Sequence, residues 1–407
     1  MFHMRSKSPP RGGIPRGLAT TGPVLFSYGF RPFFLGAGLW AIGAMAAWIA
    51  TLSAGIDIAG GYGAAHWHAH EMLFGFSSAV LAGFLLTAVP NWTGRLPVSG
   101  LPLAGLFGLW LAGRLALLAT DLLGLTLAAA IEALFLPTLL AICAREVIAG
   151  RKWKDLKVIG GLVLLSCANV HFHLAVLESA NVDTAARLAI GAYVMLIMIV
   201  GGRILPSFTR NWLNKLGRTD FPAPYNRFDT GAILTGIAAL ASWALAPEHV
   251  LTAAIAMVAS LLHVARLVRW RGWTTHPEKL LVVLHVAYAF VPLGFAGIAA
   301  GALGLLGEYP VMHILTVGVI ACMMLAVMTR ASRGHTGRPL TASPVTNASY
   351  VAIICAALVR PFAEIVPSYY HVLAAASGAL WICAFALFCM EYGPMLVRNR
   401  RSPRGAA

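Results

Sequence analysis

The sequence predicts an all-α membrane protein that crosses the bilayer twelve times. Three observations predict this fold class. The chain of 407 residues is 59% hydrophobic and only 11% charged, and its mean hydropathy is +0.77. Apolar runs of about 20 residues, the length that a helix needs to span the hydrocarbon core, recur along the chain. Almost all Lys and Arg residues fall in the short segments between these runs.

Proline, glycine and charged residues interrupt the apolar runs and set the expected limits of each helix. The predicted spans are 32–51, 67–90, 100–120, 124–145, 157–178, 186–206, 229–246, 250–268, 280–305, 311–330, 345–365 and 370–391. They form one transmembrane domain at 31–392, between a basic N-terminal tail at 1–30 and a basic C-terminal tail at 393–407. The N-terminal tail is rich in Pro and Gly and has no short apolar core, so we expect a cytoplasmic segment and not a signal peptide.

The charge distribution predicts the orientation of the chain. With the N-terminus in the cytoplasm, 27 of the 30 Lys and Arg residues fall on the inner side. The outer segments hold only Arg187 and Arg360, while Arg114 lies within the third span. Because basic residues are retained on the cytoplasmic side, both termini are expected there. The same distribution explains the net charge of +15 without nucleic acid, which would need basic residues on one soluble face.

The six cysteines all lie inside apolar runs, and no two of them form a C-x-x-C pair. This pattern disfavours a disulfide framework and a thiolate metal site. The sequence C-x-x-C-H does not occur, which excludes covalent c-type haem attachment.

Histidines collect at the predicted outer ends of three spans, in the stretches HWHAHEM, NVHFHL and VMHILTVG. Ionisable groups within a membrane are costly and tend to mark sites, and imidazole without thiolate suits haem iron, copper or zinc. We therefore expect haem iron, copper or zinc at the outer ends of these spans, with His68, His70, His173 and His313 among the candidate ligands. The alternative for each single histidine is a hydrogen-bonded packing residue. An inner layer of histidines consists of His263, His285 and His335.

Helix geometry limits how the HWHAHEM motif can act. His66 and His70 are four residues apart and share a face, whereas His68 lies roughly 200° around the helix from His70. All three can serve one metal only if the helix begins late. Glu71 could orient the imidazole of a neighbouring segment by accepting its hydrogen bond.

Arginines stand beside Gly, Pro and hydroxyl residues at the inner ends of four spans, in GFRPFF, NWTGR, GGRILPSFTRN and MTRASRGHTGRPL. Anchoring at the membrane interface explains most of them, but these stretches contain Arg and no Lys. The planar guanidinium fork suits carboxylate and phosphate groups. A buried anion site, for haem propionates or a nucleotide-like ligand, is therefore predicted at Arg31, Arg203, Arg330 and Arg338.

The motifs FSYGFRPFFL, WHAHEMLFGF, GFLLTAVPNWTGR, GGRILPSFTRNWL and VMTRASRGHTGRPL resemble the NnrS family, from about Ser27 to Leu340. The resemblance implies a twelve-span protein of the bacterial inner membrane that contains haem and copper and acts in the nitric oxide response during denitrification and nitrosative stress. By motif match, the histidines of the family fall on His68, His70, His173, His285, His313 and His335. His66 and His171 are additions in this chain.

Three functions remain open from the sequence. The leading interpretation is a membrane protein with a non-covalent haem b, with or without a copper ion nearby, bound by some of His68, His70, His173 and His313. It would bind or process nitric oxide, by analogy with haem-copper oxidoreductases. The second is a transporter or exporter of an anionic or nitrosyl-iron-thiol species, which the twelve spans and the motif GGRILP favour. The third is a membrane sensor of nitric oxide without turnover. The sequence identifies no electron donor.

The predicted orientation can be tested with reporter fusions. We expect green fluorescent protein to fluoresce when it is fused after the C-terminal tail, because it folds in the cytoplasm. Alkaline phosphatase fused at Glu308, between the ninth and tenth spans, should be active because that segment is expected outside. The reverse pattern of the two reporters would show that the orientation is wrong.

Overall fold

The computed structural model describes residues 21–401 and confirms the predicted fold class and number of spans. Twelve helices are long and apolar enough to cross a membrane, and the described range contains no β-strand. The predicted tails at 1–30 and 393–407 lie partly outside this range. The helices are α1 Phe30–Ala54, α2 Ala64–Thr93, α3 Leu101–Leu118, α4 Leu125–Ala149, α5 Trp153–Leu177, α6 Asp183–Lys215, α7 Arg227–Leu245, α8 Val250–Arg269, α9 Lys279–Ala302, α10 Glu308–His335, α11 Pro344–Ile365 and α12 Pro367–Val397.

Several helices run beyond the limits that hydropathy predicts. Helix α6 is the clearest case, because it continues from the expected end at residue 206 to Lys215. Hydropathy marks only the part of a helix that lies in lipid, whereas the polar stretch SFTRNWLNK needs no lipid to stay helical. The chain turns away at Gly217, whose φ of 69° lies in the left-handed region that favours glycine.

Four helices form the centre of the bundle. The apolar windows of α2, α9, α10 and α6 are the most buried, with 83% of the α2 window inside the protein. Helices α1, α11 and α12 pack together on one side of this centre, and α7, α8 and α9 pack together on another. Helix α3 packs against α4, and α4 also contacts α2. The histidine-bearing helices α2 and α10 are therefore largely shielded from lipid.

Two stretches within the central helices are π-helical. They cover Glu71–Phe76 in α2 and Ile314–Ala321 in α10. Each begins directly after a histidine, His70 in the first case and His313 in the second. A π-helical stretch is rare and is frequently found at functional sites. The two π-helical stretches therefore lie next to two of the histidines that the sequence predicts as ligands, His70 and His313.

The first and last helices are tied together at one end of the bundle. Arg31 Nη1 donates hydrogen bonds to the backbone oxygens of Leu396 at 2.7 Å and Arg398 at 2.9 Å. An even number of crossings puts the start of α1 and the end of α12 on the same side, and this contact agrees with that count. Which side of the membrane this is stays a prediction.

Candidate metal centre

Two imidazoles and a carboxylate from three helices meet in the interior. One ligand atom from each of His70 in α2, Glu132 in α4 and His173 in α5 lies within 4.8 Å of the other two. The side chains are buried, with exposed fractions of 0%, 1% and 3%. Glu132 Oε2 lies 2.8 Å from His173 Nε2 and 3.4 Å from His70 Nε2. Within residues 21–401, this is the one group of three such residues close enough to hold a metal ion, and we call it the core centre.

The sequence places Glu132 beside a break in α4. The helix is interrupted at Leu134 and resumes at Phe135. Pro137 lacks a backbone N–H, so it cannot bond the carbonyl oxygen of Ala133 four residues earlier, and its ring crowds that carbonyl. The break therefore follows from Pro137, and Glu132 lies just before it with a buried side chain.

A second layer of polar groups holds the two imidazoles. His70 Nδ1 lies 3.2 Å from Glu71 Oε1, and His173 Nδ1 lies 3.0 Å from the Tyr62 hydroxyl. Asn169, one helical turn before His173, donates from Nδ2 to Glu132 Oε2 at 2.8 Å. Its Oδ1 lies 3.0 Å from His70 Nε2. These partners fix both ring planes. His173 Nε2 is directed at Glu132, whereas His70 Nε2 lies between Asn169 Oδ1 and Glu132 Oε2.

Arg114 joins the carboxylates of this region. Its Nη1 donates to Glu71 Oε2 at 2.6 Å, and its Nη2 donates to Glu132 Oε1. All three side chains are at most 1% exposed. Gly75 provides the necessary space, because a Cβ atom there would overlap both Arg114 and Glu71. The absence of a Cβ atom at Gly75 thus lets a guanidinium and a carboxylate approach the backbone of α2.

The structure separates His68 and His313 from the core centre. His68 points away from His70, as the helical phase predicts, and its ring stacks on Trp48 of α1 with centroids 4.5 Å apart. The titratable side chain of His313 in α10 and the cation of Arg360 in α11 lie in the same region as His68. The four histidines expected around one cofactor therefore form two groups. We call His68 and His313 the second histidine pair.

The two inner histidines of the predicted set lie outside both groups. His285 Nε2 is 2.9 Å from Thr209 Oγ1, and its Nδ1 is buried without a hydrogen-bond partner. His335 packs its ring against Tyr28 and Phe30, with centroids 5.5 and 5.4 Å apart. Neither contact brings a second metal ligand to these imidazoles.

The four predicted anion-binding arginines have different neighbours. The guanidinium of Arg31 donates hydrogen bonds to backbone carbonyl oxygens at the end of α12. The like-charged Arg338 lies in the same region. Arg330 lies over the ring of Phe208 at 4.3 Å. Arg203 bonds to Asp155 and, alone among the four in the described chain, lines a cavity of about 450 Å³.

The sequence patterns predict no ligand role for Glu132, and no role at the site for Arg114, Asn169 or Tyr62. A signal was present, because Arg114 and Glu132 are opposite charges inside adjacent spans, where unpaired ions are strongly disfavoured. Glu71 does accept a hydrogen bond from an imidazole, as predicted, but the donor is His70 of its own helix and not a histidine of a neighbouring segment. His66 and His171 are exposed, which agrees with their treatment as additions.

The fold and the core centre define a class, that of polytopic membrane proteins with a histidine and carboxylate cluster suited to a metal ion. A family model described as NnrS protein matches residues 24–400. The chain therefore belongs to the NnrS family, as the motifs indicate, and the match continues through the last two spans, where the motif resemblance fades. Membership suggests a role in the nitric oxide response. No curated protein matches the chain.

Replacing Arg114 tests whether the core depends on its charge. Arg114→Met keeps an apolar chain of similar length but leaves Glu71 and Glu132 buried beside each other without their cation. We expect a loss of about 3–5 kcal/mol in the free energy of unfolding, the usual consequence of removing one partner of a buried ion pair. Unfolding in mixed detergent micelles, followed by circular dichroism, measures it.

The control is Arg218→Gln, which breaks an exposed ion pair with Asp220 and should leave the unfolding midpoint unchanged. Equal stability of the Arg114→Met protein and the control would contradict the role assigned to Arg114.

Proposed function

We propose that this protein is a membrane metalloprotein of the bacterial inner membrane that binds or processes nitric oxide and protects against nitrosative stress. The observation that carries the proposal is the convergence of His70, Glu132 and His173 on one point inside the bundle. Family membership supplies the connection to nitric oxide. Bound metal would supply an open coordination position for this small, uncharged ligand, which can arrive through lipid.

Charge balance supports a cation at the core centre. Two buried carboxylates, Glu71 and Glu132, share one guanidinium, that of Arg114. With neutral histidines the group carries one net negative charge, which is costly away from water. Either a proton on a histidine or a bound metal cation removes this excess. A metal cation satisfies the charge and the two imidazole nitrogens together.

The donor set and its second layer match those of known metal sites. Two imidazoles and one carboxylate suit non-haem iron, copper or zinc. Histidine ligands usually donate their other ring N–H to a carboxylate or similar acceptor, which fixes the tautomer. Glu71 holds Nδ1 of His70 in this way, and the Tyr62 hydroxyl lies at Nδ1 of His173. We therefore assign copper or non-haem iron to the core centre.

A haem does not fit between His70 and His173. Two axial imidazoles on opposite faces of a haem have ring centres about 6 Å apart, since each nitrogen lies about 2 Å from the metal. The rings of His70 and His173 are 4.7 Å apart. The rings of Phe74, Phe172 and Tyr62 also pack against His70. The core centre is thus sized for a single ion.

The second histidine pair suits haem b better. His313 Nδ1 donates to the backbone oxygen of Tyr309 at 2.8 Å, and this bond leaves the Nε2 lone pair free for iron. His68 Nδ1 is buried without a hydrogen-bond partner, and a buried polar atom of this kind calls for a ligand. Imidazole-ligated haem iron in an apolar pocket binds diatomic gases. We propose that His68 and His313 would hold haem b, which would supply iron for nitric oxide to bind.

Metal analysis tests the core centre. We expect wild-type protein to retain copper or iron after purification, and His173→Ala and Glu132→Gln to lose at least about nine tenths of it, since losing even an outer partner lowers metal affinity roughly 10–100-fold. The matched control is His171→Ala, because His171 lies on the same helix but is exposed. Wild-type protein without either metal, or metal retained in His173→Ala, would refute the assignment.

Absorption spectra test the haem assignment separately. We expect a Soret band in the wild type that disappears in His68→Ala and His313→Ala and persists in His66→Ala, whose side chain is exposed. Addition of nitric oxide to the reduced wild type should shift the band. A band that survives in both variants would show that haem is bound elsewhere.

A further inference from the structure

A basic cavity lies where the ends of α2, α5 and α6 meet the segment between α6 and α7. It has a volume of about 450 Å³. Its charged lining residues are Lys154, Lys157, Arg203, Arg210 and a single carboxylate, Asp155. These residues leave an excess of three positive charges in one cavity, which is more than the anchoring of helix ends at the membrane interface requires. Such a cavity is suited to a phosphate-bearing ligand.

Asp155 restricts the kind of ligand that would satisfy the cavity. Its Oδ1 accepts a hydrogen bond from Arg203 at 3.2 Å, while its Oδ2 is buried without a hydrogen-bond partner. Asp155 is 2% exposed, so water reaches it poorly. A ligand that satisfies the cavity should therefore carry a hydrogen-bond donor as well as an anionic group.

An apolar groove continues directly from the cavity. Val158 and Val200 line both spaces. Beyond them, the groove is bordered by hydrophobic side chains of α2, α6 and α10, among them Phe84, Ile197 and Met323. A ligand with an anionic headgroup and a hydrocarbon tail could thus place the headgroup in the basic cavity and the tail in the apolar groove. A small free anion would occupy only the basic cavity.

We propose that the cavity and groove together bind an anionic phospholipid with a hydroxyl-bearing headgroup, such as phosphatidylglycerol. The phosphate lies among Lys154, Lys157 and Arg210, a headgroup hydroxyl donates to Asp155 Oδ2, and one acyl chain follows the groove past Val200. Basic pockets between helices at the cytoplasmic side of a membrane are typical binding places for anionic headgroups. This inference is independent of the metal assignments.

The test uses delipidated full-length protein in detergent and native mass spectrometry with palmitoyl-oleoyl phosphatidylglycerol or phosphatidylcholine. The variant Lys154→Gln/Arg210→Gln removes two cavity charges but keeps the Arg203–Asp155 pair. The control Lys152→Gln/Lys215→Gln removes the same charge from residues that do not line the cavity. Circular dichroism and size-exclusion chromatography establish that both proteins are folded.

We expect the cavity variant to bind phosphatidylglycerol about tenfold or more weakly than the wild type, given the usual contribution of each basic residue near a lipid headgroup. The control should match the wild type, and phosphatidylcholine should bind weakly to all three proteins. Equal loss in the control, or no loss in the cavity variant, would overturn the proposal.

A second arm distinguishes a lipid from free phosphate. Val200→Trp fills the junction between cavity and groove, and it should weaken phosphatidylglycerol binding while leaving inorganic phosphate, measured by equilibrium dialysis, unaffected. If inorganic phosphate binds the wild type as tightly as the lipid and Val200→Trp changes neither, the ligand is a free anion and the lipid assignment is wrong.

Discussion

The ion pairs of Arg114 with Glu71 and Glu132 are the contact on which the rest of the interior depends. They bind α3 to α2 and to α4 at a depth where no water competes for the charges. Both carboxylates then act on the histidines, Glu71 on His70 and Glu132 on His70 and His173. The imidazoles are therefore oriented through a charge that lies outside the metal-ligand set, and the ligand geometry follows from that pairing.

Helix α2 divides the polar interior into two regions. One face carries His70 toward α4 and α5, and another carries His68 toward Trp48 and His313. The π-helical stretch that follows His70 widens the helix where Arg114 and Glu71 approach Gly75. One helix can thus serve a compact ion site and a larger cofactor without placing both in one cavity, which agrees with a family connected to the nitric oxide response.

Much of the fold could be predicted from the sequence, because lipid imposes a fixed helix length and basic residues alternate with the spans. The phase of HWHAHEM also separates His68 from His70. The partners of these histidines could not be predicted in the same way. Nothing in the sequence marks Asn169 or Tyr62 as a partner of a histidine, because their contacts depend on how α5 and the loop before α2 pack. Arg31 likewise matches an anion-binding pattern, yet its actual acceptors are backbone oxygens at the other end of the chain.

The residues of the core centre, together with Tyr62, Glu71, Asn169 and Arg114 that hold it, come from one continuous stretch, from Tyr62 to His173. A ribosome completes this stretch before it makes the seven helices that follow α5. Four consecutive helices can hence neutralise their charges among themselves as they leave the translocation channel, without waiting for the remainder of the polypeptide. Synthesis in this order would limit the time that these buried ions spend unpaired in lipid.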